Sequence, residues 1–360
     1  MLHAVIMAGG SGTRFWPLSR RERPKQCLAL GTAQPLIVET SHRIAPLVSI
    51  KNQMIVASES LKEQLTSLYS NDTMPQFLWE PCARNTAPCI GLAALLVHKE
   101  DPDGVMVVLP SDHHINDEEQ FREALVIASK AAVNGDIVTL GIVPTRAETG
   151  FGYIQTLETS APVGHLLAVE RFVEKPTLKV AEAYLAGGRH FWNSGMFVLS
   201  ARRMLSDLER YQPAIYDGLS ALKPFIGSLG FSERLAEIFP RMPSISIDYG
   251  IMEPASADEA GGPIKVLPTD FGWNDVGCWN ALSEYGDVDD QGNIVAGRVL
   301  TIDSHGSIIQ AIGPAAAVIG LRDMVVVTTR DAVLVCSRED AQRVKEIPGL
   351  AKELGLDDLC

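Results

Sequence analysis

The sequence predicts an α/β fold, in which an open sheet lies between two layers of helices, followed by a small β-rich region. In the first part of the 360 residues, apolar β-rich runs alternate with helical patterns. Val105–Leu109 contains no polar residue, as is typical of a strand buried on both faces. Beyond about residue 294, short apolar segments recur at regular spacing, which predicts a β-roll or β-solenoid.

The first half of the chain carries five expected strands and four expected helices. Each expected strand is a short apolar run, and the expected strands are His3–Met7, Gln53–Ala57, Gln76–Trp79, Val105–Leu109 and Ile137–Gly141. The expected helices between them are Leu36–Val48, Glu59–Tyr69, Asn85–Lys99 and Asp117–Val133. In such sheets ligands bind beyond the carboxyl ends of the strands, so the residues that follow each strand are the first candidates for a site.

The pattern changes twice further along. From about residue 150 the expected elements are the strands Gly152–Leu157, Leu166–Glu174 and Phe191–Leu199 and the helices Thr177–Ala186 and Ala201–Arg210. After the polar linker Tyr285–Asn293, six short strands and a closing helix are expected: Ile294–Ala296, Val299–Ile302, Ser307–Gln310, Ala317–Ile319, Met324–Thr328, Val333–Ser337 and Arg338–Leu354. We therefore expect two domains, 1–285 and 286–360, the second serving packing or assembly.

Composition narrows the class of protein. A hydrophobic share of 46% with 21% charged residues is typical of a globular protein, and a net charge of −13 argues against a nucleic-acid surface. The apolar stretch near Cys89–Val97 is far shorter than the roughly 20 residues that span a bilayer, and no signal peptide is recognised. Six scattered cysteines without a C-x-x-C pair indicate free thiols in the cytoplasm rather than a zinc site.

A glycine-rich turn directly follows the first expected strand. The glycines of Ala8–Thr13 allow backbone N–H groups to approach an anion closely, and Arg14 and Lys25 add positive charge. The spacing matches neither G-x-x-x-x-G-K-[ST] nor G-x-G-x-x-G. A glycine turn alone is often only a structural turn, but together with these cations it predicts a phosphate ligand.

The segments G-G-S-G-T-R-F-W-P-L-S-R and P-K-Q resemble the sugar-1-phosphate nucleotidylyltransferases, and most closely the mannose-1-phosphate guanylyltransferases. The resemblance covers about residues 1–337 and implies a Rossmann-like, GT-A-like mixed sheet. It implies GTP and mannose 1-phosphate as substrates, and we expect a homodimer. Arg14 and Lys25 would act on the β- and γ-phosphates, and the expected nucleotide contacts in the turn are Ala8, Gly9, Gly10, Ser11, Gly12 and Thr13.

Two aspartates follow from the same resemblance. Asp112 lies in P-S-D-H and Asp275 in W-N-D-V-G-C-W, and either alone would more often be a helix cap. The resemblance implies that both bind a metal ion, and Mg²⁺ needs only one or two carboxylates beside phosphate oxygens. Ser111 is expected beside the nucleotide. The neighbouring pair His113 and His114 is not expected to bind zinc, because adjacent side chains diverge.

Residues that bind the sugar 1-phosphate are expected in three segments. F-V-E-K-P implies that Lys175 holds and orients the sugar phosphate and that Glu174 accepts hydrogen bonds from sugar hydroxyls. Taken alone, this segment would be a solvated strand end. The resemblance adds the sugar-side contacts Gly150, Gly152, Tyr153 and Asn193, which would otherwise be turn residues and core aromatics.

Recognition of the base is expected in E-P-C-A-R-N-T-A-P. There Glu80 could accept hydrogen bonds from N1–H and the exocyclic amine of guanine, with Asn85 and Thr86 nearby. The alternative is equally open on sequence alone: Asn85 and Thr86 form the N-cap of a helix, and Glu80 is a charge at a strand edge.

Two further functions stay open. One is a related transferase for another nucleotide or sugar, such as dTTP or UTP with glucose 1-phosphate; the segment Ile247–Glu253 (I-D-Y-G-I-M-E) favours the mannose branch. The other is a non-catalytic paralogue that binds a nucleotide sugar and regulates a partner. The presence of every expected charged residue argues against it. Some similar proteins continue into a cupin-type isomerase domain. We expect the 360 residues of this sequence to be too few to include one.

Overall fold

The structure is a computed structural model that describes residues 1–10, 12–158, 163–258 and 262–360. Its strands are β1 (Leu2–Ala8), β2 (Gln53–Ser58), β3 (Gln76–Glu80), β4 (Val105–Pro110), β5 (His114–Ile115), β6 (Ile137–Ile142), β7 (Tyr153–Thr156), β8 (Leu167–Val173), β9 (His190–Ser200), β10 (Ile264–Thr269), β11 (Trp273–Asn274), β12 (Ile294–Ile302), β13 (Ile308–Ile319), β14 (Met324–Thr328) and β15 (Val333–Ser337). Its α-helices are α1 (Leu36–Ile44), α2 (Lys62–Ser67), α3 (Thr86–Glu100), α4 (Glu118–Val133), α5 (Leu178–Gly187), α6 (Ala201–Tyr211), α7 (Pro213–Leu222), α8 (Phe231–Ile238), α9 (Glu253–Ser256) and α10 (Ile347–Glu353).

The main sheet is mixed, as the sequence predicts. Its strand order is β3-β2-β1-β4-β9-β6-β10-β8-β7. Strands β1 to β4 are parallel to one another where they pair, whereas β9 runs antiparallel between β4 and β6. The carboxyl ends of β1, β3 and β4 therefore meet at one edge of the sheet, where ligands bind in open α/β folds.

The sheet is buried on both faces, which explains the continuous apolar character of its central strands. In β4, Met106 and Val108 pack in one apolar cluster with Ile90 of α3. The alternating residue Val107 packs in another cluster with Leu125 of α4. Because side chains alternate along a strand, both sets of residues must be apolar to fill both layers.

The second sheet has the order β12-β13-β14-β15, with the first three strands parallel. Four strands form where six were expected, because β12 and β13 each join two of the predicted segments. In β12 the register shifts between Gly297 and Val299, so the glycine makes a bulge rather than a turn. The expected closing helix is divided into a 3₁₀ helix, Ala341–Glu346, and α10, which restarts with Pro348 in its first turn.

Several other boundaries differ from the sequence-based prediction. Helix α1 ends at Ile44 rather than Val48, because Pro46 has no N–H to donate to the helix carbonyl four residues before it. The expected helix 59–69 begins as a 3₁₀ turn, Glu59–Leu61, before α2. Strand β10 was not predicted at all, and its Pro268 is a residue that normally argues against an inner strand.

Within the described ranges, no helix combines the length and apolar character needed to cross a membrane. All six cysteines are free thiols, as their scattered spacing predicts. The cytoplasmic location stays a prediction.

Candidate active site

The carboxyl edge of the main sheet brings the glycine turn and Asp112 together. The turn follows β1 and Asp112 follows β4, and these strands pair in parallel with Met7 opposite Pro110. Glu80 ends β3 at the same edge. Ser11 lies outside the described residues. The candidate ligand-binding residues therefore lie at or just beyond the carboxyl ends of β1, β3 and β4, where open α/β sheets bind ligands.

A two-stranded pairing brings Asp275 to Asp112. Strand β5 pairs antiparallel with β11, so that His114 lies opposite Asn274. Asp112 precedes β5 by two residues and Asp275 directly follows β11. These aspartates are 163 positions apart in sequence, and nothing local to either residue predicts the contact between their loops.

Lys25 joins the two aspartate loops. Its Nζ lies 2.8 Å from Asp112 Oδ2 and donates a hydrogen bond to the backbone carbonyl of Asp275 at 2.6 Å. The lysine is only 7% exposed. Gly12 makes room for it: a Cβ on Gly12 would lie 2.3 Å from Lys25 Cβ, and the glycine has a φ of +58°. The glycine turn is therefore shaped around Lys25 as well as around an anion.

The electrostatics of the two carboxyl groups differ. Burial alone would raise the pKa of Asp112, but the charge and hydrogen bond of Lys25 bring that pKa below its usual value. Burial raises the pKa of Asp275, and the nearby Asp112 raises it further, against the opposing effects of Lys25 and Arg14. Two neighbouring carboxylates, one of them disfavoured as a bare anion, are suitable oxygen ligands for a divalent cation.

The two histidines are uncharged at neutral pH. Burial lowers the pKa of both His113 and His114 to about 4. His113 Nδ1 accepts a hydrogen bond from Trp273 Nε1 at 3.1 Å, and His114 stacks on Tyr285. Among the described residues no cluster of three or more His, Cys, Asp or Glu side chains could hold a metal ion. Two carboxylates supply the oxygen ligands that a hard cation prefers.

A cleft of 520 Å³, here named the main cleft, collects residues from both halves of the sheet. It contains expected nucleotide, metal and sugar residues: Gly9, Gly10, Glu80, Asn85, Thr86, Asp112, Gly150, Gly152, Glu174, Lys175, Asn193 and Asp275. Segments that lie far apart in the sequence thus line one continuous space.

A second cleft of 320 Å³, here named the side cleft, adjoins the same two aspartates. Its other lining residues include Gly12, Thr13, Arg14, Lys25 and Lys345. Asp112 and Asp275 line both clefts. The carboxylates therefore lie where a ligand in the main cleft would meet a ligand in the side cleft.

Of the expected contact residues that the structure describes, three do not line either cleft. Tyr153 is buried, and its hydroxyl donates to the backbone carbonyl of Glu148 at 2.8 Å, so the hydroxyl supports the loop from beneath. Ser111 is fully buried under the edge of the sheet. Ala8 is buried as well, and its carbonyl accepts a hydrogen bond from Gln26.

Both interpretations of the base segment find support in the structure. The side chain of Asn85 caps α3 by accepting a hydrogen bond from the Thr86 N–H at 2.9 Å, as the alternative predicts. Glu80, however, is not a solvated edge charge. Burial raises its pKa to about 7, and its Oε1 has no hydrogen-bond partner among the described residues.

Two other residues of the main cleft, Asn193 and Lys175, are held by their neighbours. Asn193 Nδ2 donates to Asp248 Oδ1 at 2.7 Å. Lys175 has a φ of +41° and lies 3.5 Å from the Glu174 carboxylate. Asp248, which burial gives a raised pKa, also lines the cleft. It was not among the expected site residues, although the I-D-Y-G-I-M-E segment was the signal that contained it.

The fold and this site define the class of protein: an α/β enzyme whose sheet edge presents a glycine loop, two cations and two carboxylates to a phosphate compound. Residues 3–291 match the family model described as nucleotidyl transferase, and residues 297–349 match that of the mannoseP isomerase/GMP-like beta-helix domain. The chain belongs to the nucleotidyl transferase family.

Individual relatives extend over nearly the whole chain. The xanthan biosynthesis protein XanB of Xanthomonas campestris pv. campestris is 43% identical over 98% of this chain and 73% of its own length. A mannose-1-phosphate guanylyltransferase of Klebsiella pneumoniae is 40% identical over 98% of this chain and 74% of its own length. A crystal structure from Thermus thermophilus, described as a mannose-1-phosphate geranyltransferase, is 33% identical with a TM-score of 0.86, covering 98% of this chain and 99% of that one.

Gly12→Ala tests whether the glycine turn is built around Lys25. The substitution combines a left-handed backbone, which costs about 1–2 kcal/mol, with a clash that typically costs about 1–3 kcal/mol more. Gly188→Ala is the matched control, because Gly188 has a φ of +65° with no atom near its missing Cβ. Urea unfolding should show the larger loss for Gly12→Ala. Equal losses would mean that the contact with Lys25 is unimportant.

Proposed function

We propose that this protein transfers GMP from GTP to α-D-mannose 1-phosphate, releasing pyrophosphate and forming GDP-mannose. The observation that carries the proposal is the position of Asp112 and Asp275, which line both the main cleft and the side cleft. A transfer between two phosphate compounds needs one charged centre between two binding spaces. The full-length similarity to a mannose-1-phosphate guanylyltransferase supports the choice of substrates.

The proposed substrates match the lining of the clefts. Guanine would lie near Glu80, and mannose 1-phosphate near Lys175 and Asn193; all three residues line the main cleft. The β- and γ-phosphates would enter the side cleft, where Arg14 and Lys25 lie. In this arrangement the α-phosphorus is next to the two aspartates, at the junction of the clefts.

The reaction does not need a general base. A phosphate monoester has its second pKa near 6, so at neutral pH the sugar phosphate is largely a dianion and a ready nucleophile. Its oxygen attacks the α-phosphorus, the bond to the β-phosphate oxygen breaks, and pyrophosphate leaves with the electron pair. Lys175 orients the attacking phosphate. Catalysis then rests on positioning and on charge neutralisation.

Arg14 and Lys25 stabilise the negative charge that grows on the departing pyrophosphate. Lys25 is already fixed by Asp112 and by the Asp275 carbonyl, so little reorganisation is required during the reaction. Asp112 and Asp275 would hold the divalent cation, which we propose to be Mg²⁺. When bound, that ion supplies Lewis-acid charge neutralisation to the reacting phosphates.

Three expectations from the sequence remain proposals: the homodimer, the cytoplasmic location, and the domain division at residue 285. The non-catalytic alternative is disfavoured because the charged residues are not only present but converge. Each of the five expected charged residues lines at least one of the two clefts: Arg14, Lys25, Asp112, Lys175 and Asp275. Measuring pyrophosphate release with different nucleotides and sugar phosphates distinguishes GTP and mannose 1-phosphate from the alternative substrates.

Pyrophosphate release should be measured for GTP, ATP, UTP and dTTP, each with mannose 1-phosphate and with glucose 1-phosphate. GTP with mannose 1-phosphate should have the highest kcat/KM, by about tenfold or more over any other nucleotide, since one charge-assisted hydrogen bond to the base contributes about 1.5–3 kcal/mol. A higher value for another pair would make the protein a different nucleotidylyltransferase. Absence of release with every pair would favour the non-catalytic paralogue.

Asp112→Asn and Asp275→Asn should each reduce kcat by about two orders of magnitude or more, because each removes a charge proposed to hold the metal ion. Asp290→Asn, at an exposed aspartate outside the clefts, is the matched control and should have wild-type kcat. Thermal unfolding of all three variants checks that the fold is retained. Near-normal turnover of either cleft variant at low Mg²⁺ would refute its assignment as a ligand.

Glu80 should make the preference for GTP over ITP depend on pH. Its pKa of about 7 lies above the usual value, so the carboxyl is largely neutral below pH 7. As the pH rises it becomes a carboxylate, which is a stronger, charge-assisted acceptor for the exocyclic amine. ITP lacks that amine. The wild-type ratio of kcat/KM values, GTP over ITP, should therefore increase as the pH passes through 7.

Glu80→Gln should give a low ratio at every pH, with a loss of about tenfold above pH 7, the lower end of what a charge-assisted hydrogen bond contributes. Glu63→Gln, at an exposed glutamate of α2, should retain the wild-type profile. If the Glu80 variant and the wild type have the same ratio throughout, Glu80 does not read the base, and Asn85 and the backbone of the glycine turn become the candidates.

A further inference from the structure

The C-terminal segment packs directly against the glycine turn. Beyond β15, the 3₁₀ helix Ala341–Glu346 contacts the 3₁₀ helix Thr13–Phe15. Ala341 and Val344 are buried in the same apolar cluster as Phe15. The C-terminal region, which the sequence predicts to serve packing or assembly, therefore touches the glycine turn itself.

This contact carries a lysine into the side cleft. Lys345 follows the buried Val344, is itself exposed, and lines the side cleft together with Arg14, Lys25 and the two aspartates. Its side chain has no hydrogen bond or ion pair with any described residue. Arg343, two residues earlier on the same short helix, lies outside the lining and pairs with Asp340 and Glu346.

The charges around the side cleft leave two cations available. Lys25 is engaged by the Asp112 carboxylate at 2.8 Å. The side chains of Arg14 and Lys345 make no such pair within the described part of the chain. Two unpaired cations that face one cleft favour an anion between them, and a polyphosphate can satisfy both at once. A lysine acts there as a flexible point charge that can follow a phosphate group.

The geometry points to Lys345 as a phosphate-binding residue that, with Arg14, holds the β- and γ-phosphates of the nucleotide and the pyrophosphate formed from them. The inference rests on the proposed function for the identity of the nucleotide, but not for its chemistry, since any nucleoside triphosphate presents the same two phosphates. It makes the C-terminal region part of the active site, because without the contact between the two 3₁₀ helices the side cleft would lack one of its cations.

The test uses the full chain with Lys345→Met, which keeps the length of the side chain and removes its charge, and Lys345→Arg, which restores the charge. Arg343→Gln is the matched control, a neutralised cation on the same helix outside the cleft. Binding of inorganic pyrophosphate in the presence of Mg²⁺ is measured by calorimetry. Kinetics are measured in both directions, with GTP and mannose 1-phosphate and with GDP-mannose and pyrophosphate.

Lys345→Met should weaken pyrophosphate binding about tenfold, the lower end of the effect of a charge-assisted hydrogen bond, and raise the KM values for GTP and pyrophosphate by a similar factor. The KM values for mannose 1-phosphate and GDP-mannose should stay within about twofold, since neither carries the leaving phosphates. Lys345→Arg should recover most of the affinity. Arg343→Gln should equal the wild type.

The proposal is overturned if Lys345→Met binds pyrophosphate as the wild type does, or if Arg343→Gln loses as much affinity, which would indicate only a general change of surface charge. It is also overturned if the KM for mannose 1-phosphate rises as much as that for GTP. Failure of the proposed function looks different: the wild type would bind pyrophosphate, and Lys345→Met would weaken that binding, while GTP and mannose 1-phosphate gave no product.

Discussion

One apolar cluster holds the reactive loops of this enzyme in place. Phe15, Val276 and Val344 are buried in it, together with Trp279. Phe15 meets the edge of Trp279 at a ring-centroid distance of 5.1 Å, and Trp279 Nε1 donates to the Trp16 carbonyl. Burying side chains of this size contributes about 1.5–3 kcal/mol each, which is enough to fix loops that have little secondary structure of their own.

Phe15, Val276 and Val344 each have a charged neighbour in the sequence that lines the side cleft. Arg14 precedes Phe15, Asp275 precedes Val276, and Lys345 follows Val344. The apolar side chain anchors the backbone, and the adjacent charged residue lines the side cleft. In a chain with a net charge of −13, the cations of this cleft, Arg14, Lys25 and Lys345, provide the local positive field that the proposed polyphosphate site requires. Attraction depends on the field within the cleft and not on the total charge.

The sequence allowed most strands of the main sheet to be predicted, because strands buried on both faces have a clear apolar signature. It also led to candidate site residues at the carboxyl ends of the strands, most of which line one of the two clefts. It did not reveal features that depend on contacts between distant segments. The pairing of β5 with β11 involves two residues on each strand, too few for a periodic signal. Lys345 looks like any exposed lysine of an amphipathic segment, and Tyr153 resembled a contact residue although its hydroxyl is used by the Glu148 backbone.

Strained backbone is concentrated around the same clefts. Asn85, Lys175 and Val276 are three of the five non-glycine residues with positive φ among those described, and the first two line the main cleft while Val276 lines the side cleft. Such conformations cost about 1–3 kcal/mol each and persist only where the surroundings hold them. Asn274 Oδ1 accepts the Val276 N–H at 2.6 Å, and its amide is tied to Glu284. The apolar cluster beneath supplies the remaining constraint, so the stability of this core and the geometry of the Asp275 loop are coupled, and a substitution that loosens the core is expected to alter the position of the carboxylate.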